Sequence, residues 1–203
     1  MQVNVFNEEV VEAKPFLKWA GGKKQLLPTI EKRLPPKIQE TKKIKNYFEP
    51  FVGAGALFFH LSNKYNIKKS YISDINSELI LTYKIIQNYH KELINNLKII
   101  QDEFLAKNQD ERKKYYNKLR DEYNHNLEDF DYTVLDDISI KRASYTIFFN
   151  KTGFNGLFRV NKKGKFNVPC GKYKNPKICD EENIVNVHSL LSKHIIWKLK
   201  LVF

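Results

Sequence analysis

Two glycines separated by one residue stand where a predicted strand gives way to a predicted helix. The segment FEPFVGAGAL places Gly53 and Gly55 at this turn, where a side chain would block the approach of a ligand. Asp74 ends the next predicted strand, where a carboxylate can accept hydrogen bonds from ribose hydroxyls. The G-x-G spacing lacks the third glycine of the dinucleotide fingerprint, which argues against an NAD site. Together these residues predict a nucleoside site; the alternatives are a plain tight turn and a helix-capping acid.

A second motif, FLKWAGGKK, precedes this turn. It does not match a phosphate loop, because Lys24 stands where G-x-x-x-x-G-K-[ST] has Ser or Thr and Leu17 stands where it has its first glycine. An ATPase is therefore not expected. Trp19 can form an aromatic wall, the glycine pair gives flexible backbone, and Lys23 can bind a carboxylate. These residue types suit a methionine moiety.

These residues lie on a predicted alternation of strand and helix. Residues 47–51 form a short aromatic run before the first glycine, residues 54–64 have apolar side chains at helical spacing, and Tyr71 and Ile72 predict a second strand. A strand, a tight glycine turn, a helix and a strand in this order imply a parallel α/β sheet.

The pattern changes after Asn76, where apolar residues recur at helical spacing with charges between them. The predicted helices of this region cover residues 79–86, 93–104, 115–123 and 138–150. A short helix is expected at 184–191, where acidic residues precede the apolar ones. WKLKLVF, at residues 197–203, then alternates as a further strand.

A Lys-rich segment between these helices predicts a β-hairpin. Residues 157–160 and 166–168 flank the sequence Asn-Lys-Lys-Gly, which has turn chemistry. An arginine on a hairpin can donate two hydrogen bonds to O6 and N7 of guanine, so Arg159 is the candidate base reader. The surrounding cations that would attract phosphates are Lys162, Lys163, Lys165, Lys172 and Lys174. The alternative is an exposed, solvated turn.

The composition narrows the class of protein. Lys and Arg number 35 against 23 acids, a net charge of +12, so a polyanion such as nucleic acid is the expected partner and a solvated Lys-rich surface is the alternative. Glu8, Glu9 and Glu12 precede any apolar run, unlike a signal peptide, and no stretch is apolar enough to span a membrane, so we expect a cytoplasmic protein. Cys170 and Cys179 form no C-x-x-C pair and the five histidines are scattered, so no metal is expected.

The sequences PFLKWAGGKKQLLP, YFEPFVGAGALFFHL and SDIN occur in the order seen in the Dam family of DNA adenine-N6 methyltransferases, which the chain resembles from Pro15 onward. The resemblance implies a Rossmann-like, S-adenosylmethionine-dependent methyltransferase sheet and methyl transfer to adenine N6 of double-stranded DNA, in DNA modification or restriction-modification. The positions that contact S-adenosylmethionine in this family are matched by Trp19, Lys23, Gly53, Gly55 and Asp74.

The same family carries a helical target-recognition domain with a β-hairpin, inserted where residues 84–179 lie here. The resemblance thus implies a cofactor-binding core over residues 1–83 and 180–203. NKTGFNGLFRVNKKGKFNVPCGKYKNP resembles members that recognise sites containing G-A-T-C. The positions used there for DNA contact are matched by Phe154, Asn155, Leu157, Arg159, Pro169 and Tyr173.

The family's catalytic motif, Asp-Pro-Pro-Tyr or a close variant, is not found in these 203 residues. The adjacent prolines Pro35 and Pro36 have neither an acid before them nor an aromatic residue after them. Because the family motif follows the recognition domain, we expect it beyond Phe203, expect the sheet to be incomplete, and assign no catalytic residue. A shifted reading frame, an early stop, a fragment or a separate polypeptide carrying the motif would each explain this ending. The alternatives are therefore a non-catalytic DNA-binding remnant and one part of a split methyltransferase.

Overall fold

Three parallel strands form the sheet of the computed structural model, which describes residues 12–198 except 22, 126, 128 and 193. The strands are β1 (Lys43–Glu49), β2 (Asn66–Asp74) and β3 (Ile195–Lys198), in the order β1-β2-β3. Tyr71 of β2 pairs with Phe48 on one side and with Ile195 on the other. The predicted parallel α/β architecture is thus confirmed as a small, open sheet. The last residues of the predicted final strand, 199–203, lie outside the described residues.

Helices precede and separate the three strands in the described part of the chain. They are α1 (Leu27–Lys32), α2 (Pro36–Thr41), α3 (Ala56–Ser62), α4 (Ser77–Leu105), α5 (Gln109–Asn124), α6 (Asp137–Thr152) and α7 (Glu181–Leu191). Two 3-10 turns cover Lys23–Leu26 and Phe154–Gly156. Polar side chains begin the long helices: Asn76 Oδ1 accepts from the Leu79 amide at 3.1 Å, and Asp136 Oδ1 accepts from the Ser139 amide at 2.8 Å.

Helix α4 replaces two shorter helices that the sequence predicts at 79–86 and 93–104. The helix continues through the polar stretch between them and departs from helical geometry at Tyr89, where φ is −137° and ψ is 39°. Residues before and after Tyr89 contact α7 and the residues that follow α7. Gln87 Nε2 donates to the carbonyl oxygens of Leu191 and His194, and the ring of His90 stacks on that of His188 at 3.7 Å. The polar residues between the apolar repeats therefore belong to a helix interface.

One apolar core extends from the sheet into the helical region. It contains Ile72 of β2, Phe58 of α3, Tyr83 of α4 and Phe149 of α6, all buried. Phe166, from the segment between α6 and α7, packs on Phe149 with ring centroids 5.0 Å apart. The division into a core and an inserted domain stays a prediction, and these contacts join the two predicted parts.

A buried ion pair joins the first turn of α4 to α6. The Nε atom of Arg142 lies 3.0 Å from both carboxylate oxygens of Glu78, and its Nη2 also donates to Glu78 Oε1. Tyr132 Oη donates to the same oxygen at 2.5 Å, and Arg142 Nη1 donates to the Tyr123 carbonyl at 2.9 Å. Both charged side chains are thus removed from water and hydrogen-bonded.

Residues 154–173, here named the Lys-rich loop, differ from the expected β-hairpin. The chain reverses as predicted, because Asn161 accepts from the Gly164 amide at 2.9 Å and Gly164 has a φ of +72°. However, two isolated bridges, Val160 to Phe166 and Gly153 to Cys170, form in place of two strands. The Phe166 backbone bonds to the side chain of Asn124 on α5, with its amide at 2.8 Å and its carbonyl at 2.9 Å. The bridge at Phe166 itself uses the bonds from the Asn161 amide to the Lys165 carbonyl and from the Asn167 amide to the Arg159 carbonyl, so the Phe166 amide and carbonyl face outward, toward α5.

Candidate functional site

A cavity of about 270 Å³ opens where β1 and β2 end. It is lined by the predicted site residues Trp19, Gly53 and Asp74 and also by Glu49, Phe51 and Leu57. The carboxyl ends of neighbouring parallel strands meet at one edge of a sheet, which is where open α/β sheets bind ligands. The sequence motifs around residues 19, 53 and 74 thus meet at this edge.

Asp74 is fixed by two backbone amides. Its Oδ2 accepts from the Gly53 amide and its Oδ1 from the Asn76 amide, each at 3.0 Å. The side chain that caps α4 is Asn76, so the simple capping alternative for Asp74 is wrong. A carboxylate offers about four lone-pair sites, so two acceptor positions of Asp74 remain for a ligand. Asp74 thus has a set orientation and capacity for a pair of hydroxyl groups.

Gly55 occupies a position where a side chain would clash with its neighbours. Its φ is +77°, and a Cβ there would lie 2.6 Å from Tyr83 Oη and 2.7 Å from Phe59 Cε2. Tyr83 Oη in turn donates to the Gly53 carbonyl at 3.1 Å. Burial raises the pKa of the Tyr83 phenol, and the carboxylates of Glu49 and Asp74 raise it further, so the hydroxyl stays protonated. The buried Tyr83 hydroxyl thus holds the glycine turn through a hydrogen bond to its backbone.

Gly55→Ala is expected to lower the free energy of unfolding by about 2 to 3 kcal/mol, because left-handed backbone and overpacking both cost stability. Gly21→Ala is the matched control, since Gly21 has nearly the same φ, +76°, but no atom within 4 Å of the added Cβ. The control is expected to lose only about 1 kcal/mol. Urea unfolding of both variants measures the difference, and equal losses would contradict a close approach at Gly55.

Trp19 borders the cavity and reaches the Lys-rich loop. A Cβ added at Gly53 would lie 3.2 Å from Trp19 Cδ1, so the indole covers the glycine turn. The indole also stacks on Phe158, with centroids 5.4 Å apart and planes at 25°. Lys23 begins the 3-10 turn Lys23–Leu26, and its side chain lies outside the described residues, as does Gly22.

Glu49 is a cavity residue that the sequence interpretation missed. It ends β1, is buried, and accepts from Tyr47 Oη at 2.7 Å. Burial and the Glu49 carboxylate raise the pKa of Tyr47, which keeps that phenol a donor. Its place at a strand end, four residues before the first glycine of the turn, is a signal that could have identified it. Glu49 adds a second carboxylate to the same cavity wall as Asp74.

The residues predicted to contact DNA lie on one exposed loop. Phe154, Asn155, Leu157, Arg159 and Pro169 are exposed, and Tyr173 is partly buried. The Phe154 amide donates to the Pro169 carbonyl at 2.9 Å, so the two ends of the loop are adjacent. Asn155 has a left-handed backbone, with a φ of +55°. The structure thus brings this predicted set together on one segment.

Arg159 is oriented by Asn167, a residue that the sequence interpretation did not single out. Its Nε donates to Asn167 Oδ1 at 2.8 Å and its Nη2 to the Asn167 carbonyl at 3.3 Å. Arginine has five N–H groups, so three remain for an acceptor pair. Asn167 thus holds the guanidinium on the solvent side of the loop while its outer edge keeps donors.

Helix α5 fixes the inner side of the loop. Tyr116 Oη donates to the Val168 carbonyl at 3.0 Å. Arg112, itself buried, donates through Nη1 to the carbonyls of Tyr173 at 3.3 Å and Lys174 at 2.9 Å. These bonds satisfy the backbone of an irregular segment, so its exposed side chains are presented from a fixed base.

Two further features of the described residues concern membrane spanning and metal binding. Across the described range, no helix has both the length and the apolar character needed to span a bilayer. The same residues contain no group of three or more His, Cys, Asp or Glu side chains arranged to hold a metal ion.

Comparison with known proteins relates this arrangement to one family. Residues 19–198 match the family model of the D12 class N6 adenine-specific DNA methyltransferases. The type II methyltransferase M.MjaIII of Methanocaldococcus jannaschii is 52% identical over 181 residues, which cover 89% of this chain and 60% of the relative.

Two further relatives are more distant. The type II methyltransferase M1.LlaDCHI of Lactococcus lactis is 38% identical over 96% of this chain and 60% of its own length. The DNA adenine methylase of Escherichia coli is 34% identical over 83% of this chain and 51% of its own length. The chain thus spans between about half and three fifths of the length of these curated relatives.

Proposed function

Since the chain belongs to the D12 class of N6 adenine-specific DNA methyltransferases, we propose that it carries the S-adenosylmethionine site and the DNA-reading loop of an enzyme that methylates adenine N6. One observation carries this proposal. The Asp74 carboxylate is fixed by the Gly53 amide at 3.0 Å beside Trp19, which also stacks on the Lys-rich loop. One indole thus borders the cavity of the Asp74 carboxylate and also contacts the exposed basic loop.

The residues present fit the chemistry of S-adenosylmethionine. Asp74 has acceptor capacity for the two ribose hydroxyls, and the Trp19 indole offers an aromatic face to a cationic ligand. Lys23, at the start of its 3-10 turn, is proposed to bind the carboxylate of the methionine part. Gly53 lines the cavity, and Gly55 lets the turn pack closely on Tyr83 and Phe59 behind it. When bound, the cofactor supplies an activated methyl group on its sulfonium.

Calorimetric titration of the full chain with S-adenosylmethionine tests the cofactor assignment. We expect saturable binding of S-adenosylmethionine at one site. ATP and NAD are not expected to displace it, because the first motif is not a phosphate loop and the second lacks the third glycine of the dinucleotide fingerprint. Absence of binding by the folded protein would refute the cofactor assignment. Displacement by ATP would point to a nucleotide site of another class.

We further propose that the Lys-rich loop reads a site containing G-A-T-C. Arg159 is proposed to donate to O6 and N7 of guanine, and Leu157 and Pro169 to contact the thymine methyl groups. Asn155 would fix the register on a phosphate, and Phe154 would wedge into the base stack. Tyr173 completes the proposed set of DNA contacts. Their support is the exposure of the loop, the orientation of Arg159 by Asn167 and the surrounding lysines.

Arg159→Ala is expected to reduce the preference for G-A-T-C over a permuted site by about 1 to 3 kcal/mol, because one bidentate base contact is lost. Lys163→Ala is the control and is expected to weaken binding to all duplexes alike, since a phosphate contact carries no sequence information. Fluorescence anisotropy with both duplexes at one salt concentration measures the preference. An equal loss on every duplex for Arg159→Ala would eliminate Arg159 as the base reader.

Catalysis is assigned to no residue of this chain. The N6 amine of adenine is a weak nucleophile, so methyl transfer needs acceptors that hold the flipped base, and the acid-Pro-Pro-aromatic motif that provides them is not in the sequence. The relatives offer no support for a separate polypeptide with that motif. We therefore propose binding and recognition for the residues at hand, and methyl transfer for a protein that joins them to such a motif.

A further inference from the structure

Asn150, near the end of α6, connects the first cofactor motif to the Lys-rich loop. Its Oδ1 accepts from the Lys18 amide and its Nδ2 donates to the Lys18 carbonyl, both at 2.8 Å. The same Nδ2 donates to the Gly156 carbonyl, also at 2.8 Å. Asn150 is only 4% exposed, so water does not compete for these bonds. One buried amide thus fixes the residue before Trp19 and the first turn of the Lys-rich loop.

Further contacts join the same two segments around this amide. The rings of Trp19 and Phe158 stack, and Lys18 Nζ lies 5.7 Å from the centroid of the Tyr173 ring. A Cβ at Gly156 would lie 2.7 Å from Lys18 Cδ, so the Lys18 side chain packs directly on the Gly156 backbone. Trp19 also covers Gly53 at the cofactor cavity. A displacement of Trp19 would thus be transmitted to both the glycine turn and the loop.

A second asparagine provides an internal comparison. Asn183 on α7 makes the same pair of bonds with Lys14, accepting from its amide at 2.9 Å and donating to its carbonyl at 3.0 Å. Asn183 is also buried, with 9% exposure. These two bonds anchor the N-terminal segment in both cases. What distinguishes Asn150 is the third bond, to Gly156 of the Lys-rich loop.

We propose that Asn150 is a positioning residue that couples occupation of the cofactor cavity to DNA binding by the Lys-rich loop; this inference rests on the proposed function. A ligand that orders residues 18 and 19 at the cavity also orders the Gly156 turn through the shared amide. The second ligand then binds a loop that is already ordered. The coupling is reciprocal, so DNA raises the affinity for the cofactor by the same factor.

The test is a pair of titrations that measure this factor. The affinity of the full chain for a G-A-T-C duplex is measured with and without saturating sinefungin, an unreactive analogue of S-adenosylmethionine. The wild-type protein is expected to bind DNA about 5-fold or more tightly with the analogue, within the usual range of coupling between sites. In Asn150→Ala the ratio is expected to fall below about 2-fold, while each ligand alone still binds.

Asn183→Ala is the matched control, because it removes an equivalent pair of backbone bonds, to Lys14, and Asn183 makes no bond to the loop. It is expected to lower stability but to keep the wild-type ratio. An equal fall of the ratio in both variants would show that Asn150 is merely structural and would overturn the inference. Wild-type binding of both ligands without coupling would also overturn it, and would leave the proposed function standing.

Two other outcomes are also decisive. A wild-type protein that binds neither ligand refutes the proposed function itself, and the inference with it. If Asn150→Ala does not fold, hydrogen–deuterium exchange of the wild-type protein decides, since the inference requires sinefungin alone to slow exchange at residues 154–158, where the Gly156 carbonyl accepts from Asn150. Slowed exchange at residues 154–158 would support the coupling, and slowed exchange at residues 18–24 alone would overturn it.

Discussion

Asp74→Ala is expected to weaken binding of S-adenosylmethionine by about 100- to 10,000-fold. Two hydrogen bonds from ribose hydroxyls to a charged acceptor are lost, and bonds to charged groups contribute about 1.5 to 3 kcal/mol each. The glycine turn also loses an anchor, because the Gly53 amide donates to Asp74 Oδ2 at 3.0 Å. Calorimetry on the wild-type protein and the variant measures the change in affinity, with urea unfolding in parallel to confirm that both are folded.

Asp136→Ala is the control for this variant. Asp136 also accepts from a backbone amide, that of Ser139 at 2.8 Å, but it caps α6 and does not line the cofactor cavity. It is expected to cost about 1 kcal/mol of stability, as loss of a helix cap does, and to leave cofactor affinity unchanged. A loss of affinity below about 3-fold for Asp74→Ala would contradict the ribose role of its carboxylate.

Arg142→Ala is expected to lower the free energy of unfolding by about 3 to 5 kcal/mol, because it leaves the Glu78 carboxylate buried without its counter-charge. Glu78 is 7% exposed and accepts from both Nε and Nη2 of Arg142. The variant also removes the guanidinium from the Tyr123 ring, whose centroid lies 4.2 Å from Arg142 Cζ. The loss is measured by urea unfolding of the wild-type protein and of Arg142→Ala, each followed by circular dichroism.

The double variant Arg142→Met with Glu78→Leu distinguishes a charge effect from a packing effect. Removing both charges leaves no unpaired ion, so this protein is expected to be more stable than Arg142→Ala by about 2 kcal/mol. A cost of less than about 1 kcal/mol for Arg142→Ala would show that the pair contributes no more than an exposed one. A double variant as unstable as the single one would show that packing dominates.

The cofactor half of the site follows from local sequence to a large extent. A strand, a glycine turn and a second strand ending in an acid bring residues 53 and 74 together, because parallel strands end at the same edge. The contributions of Tyr83 and Glu49 depend on tertiary contacts. Helical spacing marks Tyr83 as buried, but the bond from its hydroxyl to the Gly53 carbonyl, 30 residues away, needs the packing of α4 on the sheet.

The Lys-rich loop shows where local patterns are insufficient. Turn chemistry at 161–164 predicts the chain reversal, which the structure contains. It does not predict that Asn124, 42 residues before Phe166, binds the outward-facing amide and carbonyl of that residue. Arg159 and Asn167, by contrast, lie opposite each other in the predicted hairpin register, so this pair could have been identified from the sequence. The connection to the cofactor motif depends on Asn150, 132 residues after Lys18. Partners as distant in sequence as Asn124 and Asn150 are set by the fold, since their spacing follows no helical or strand period.

Hydrogen–deuterium exchange of the full chain, alone, with S-adenosylmethionine and with a G-A-T-C duplex, tests most directly whether the cofactor and DNA occupy these two segments. We expect the cofactor to slow exchange in peptides covering residues 18–24, 49–57 and 74–76, and the duplex to slow exchange in those covering 154–173. The edge at residues 35–45, remote from the cavity lining, is the internal control. Protection confined to that edge, or none in the cavity peptides at saturating cofactor, would contradict the proposed sites.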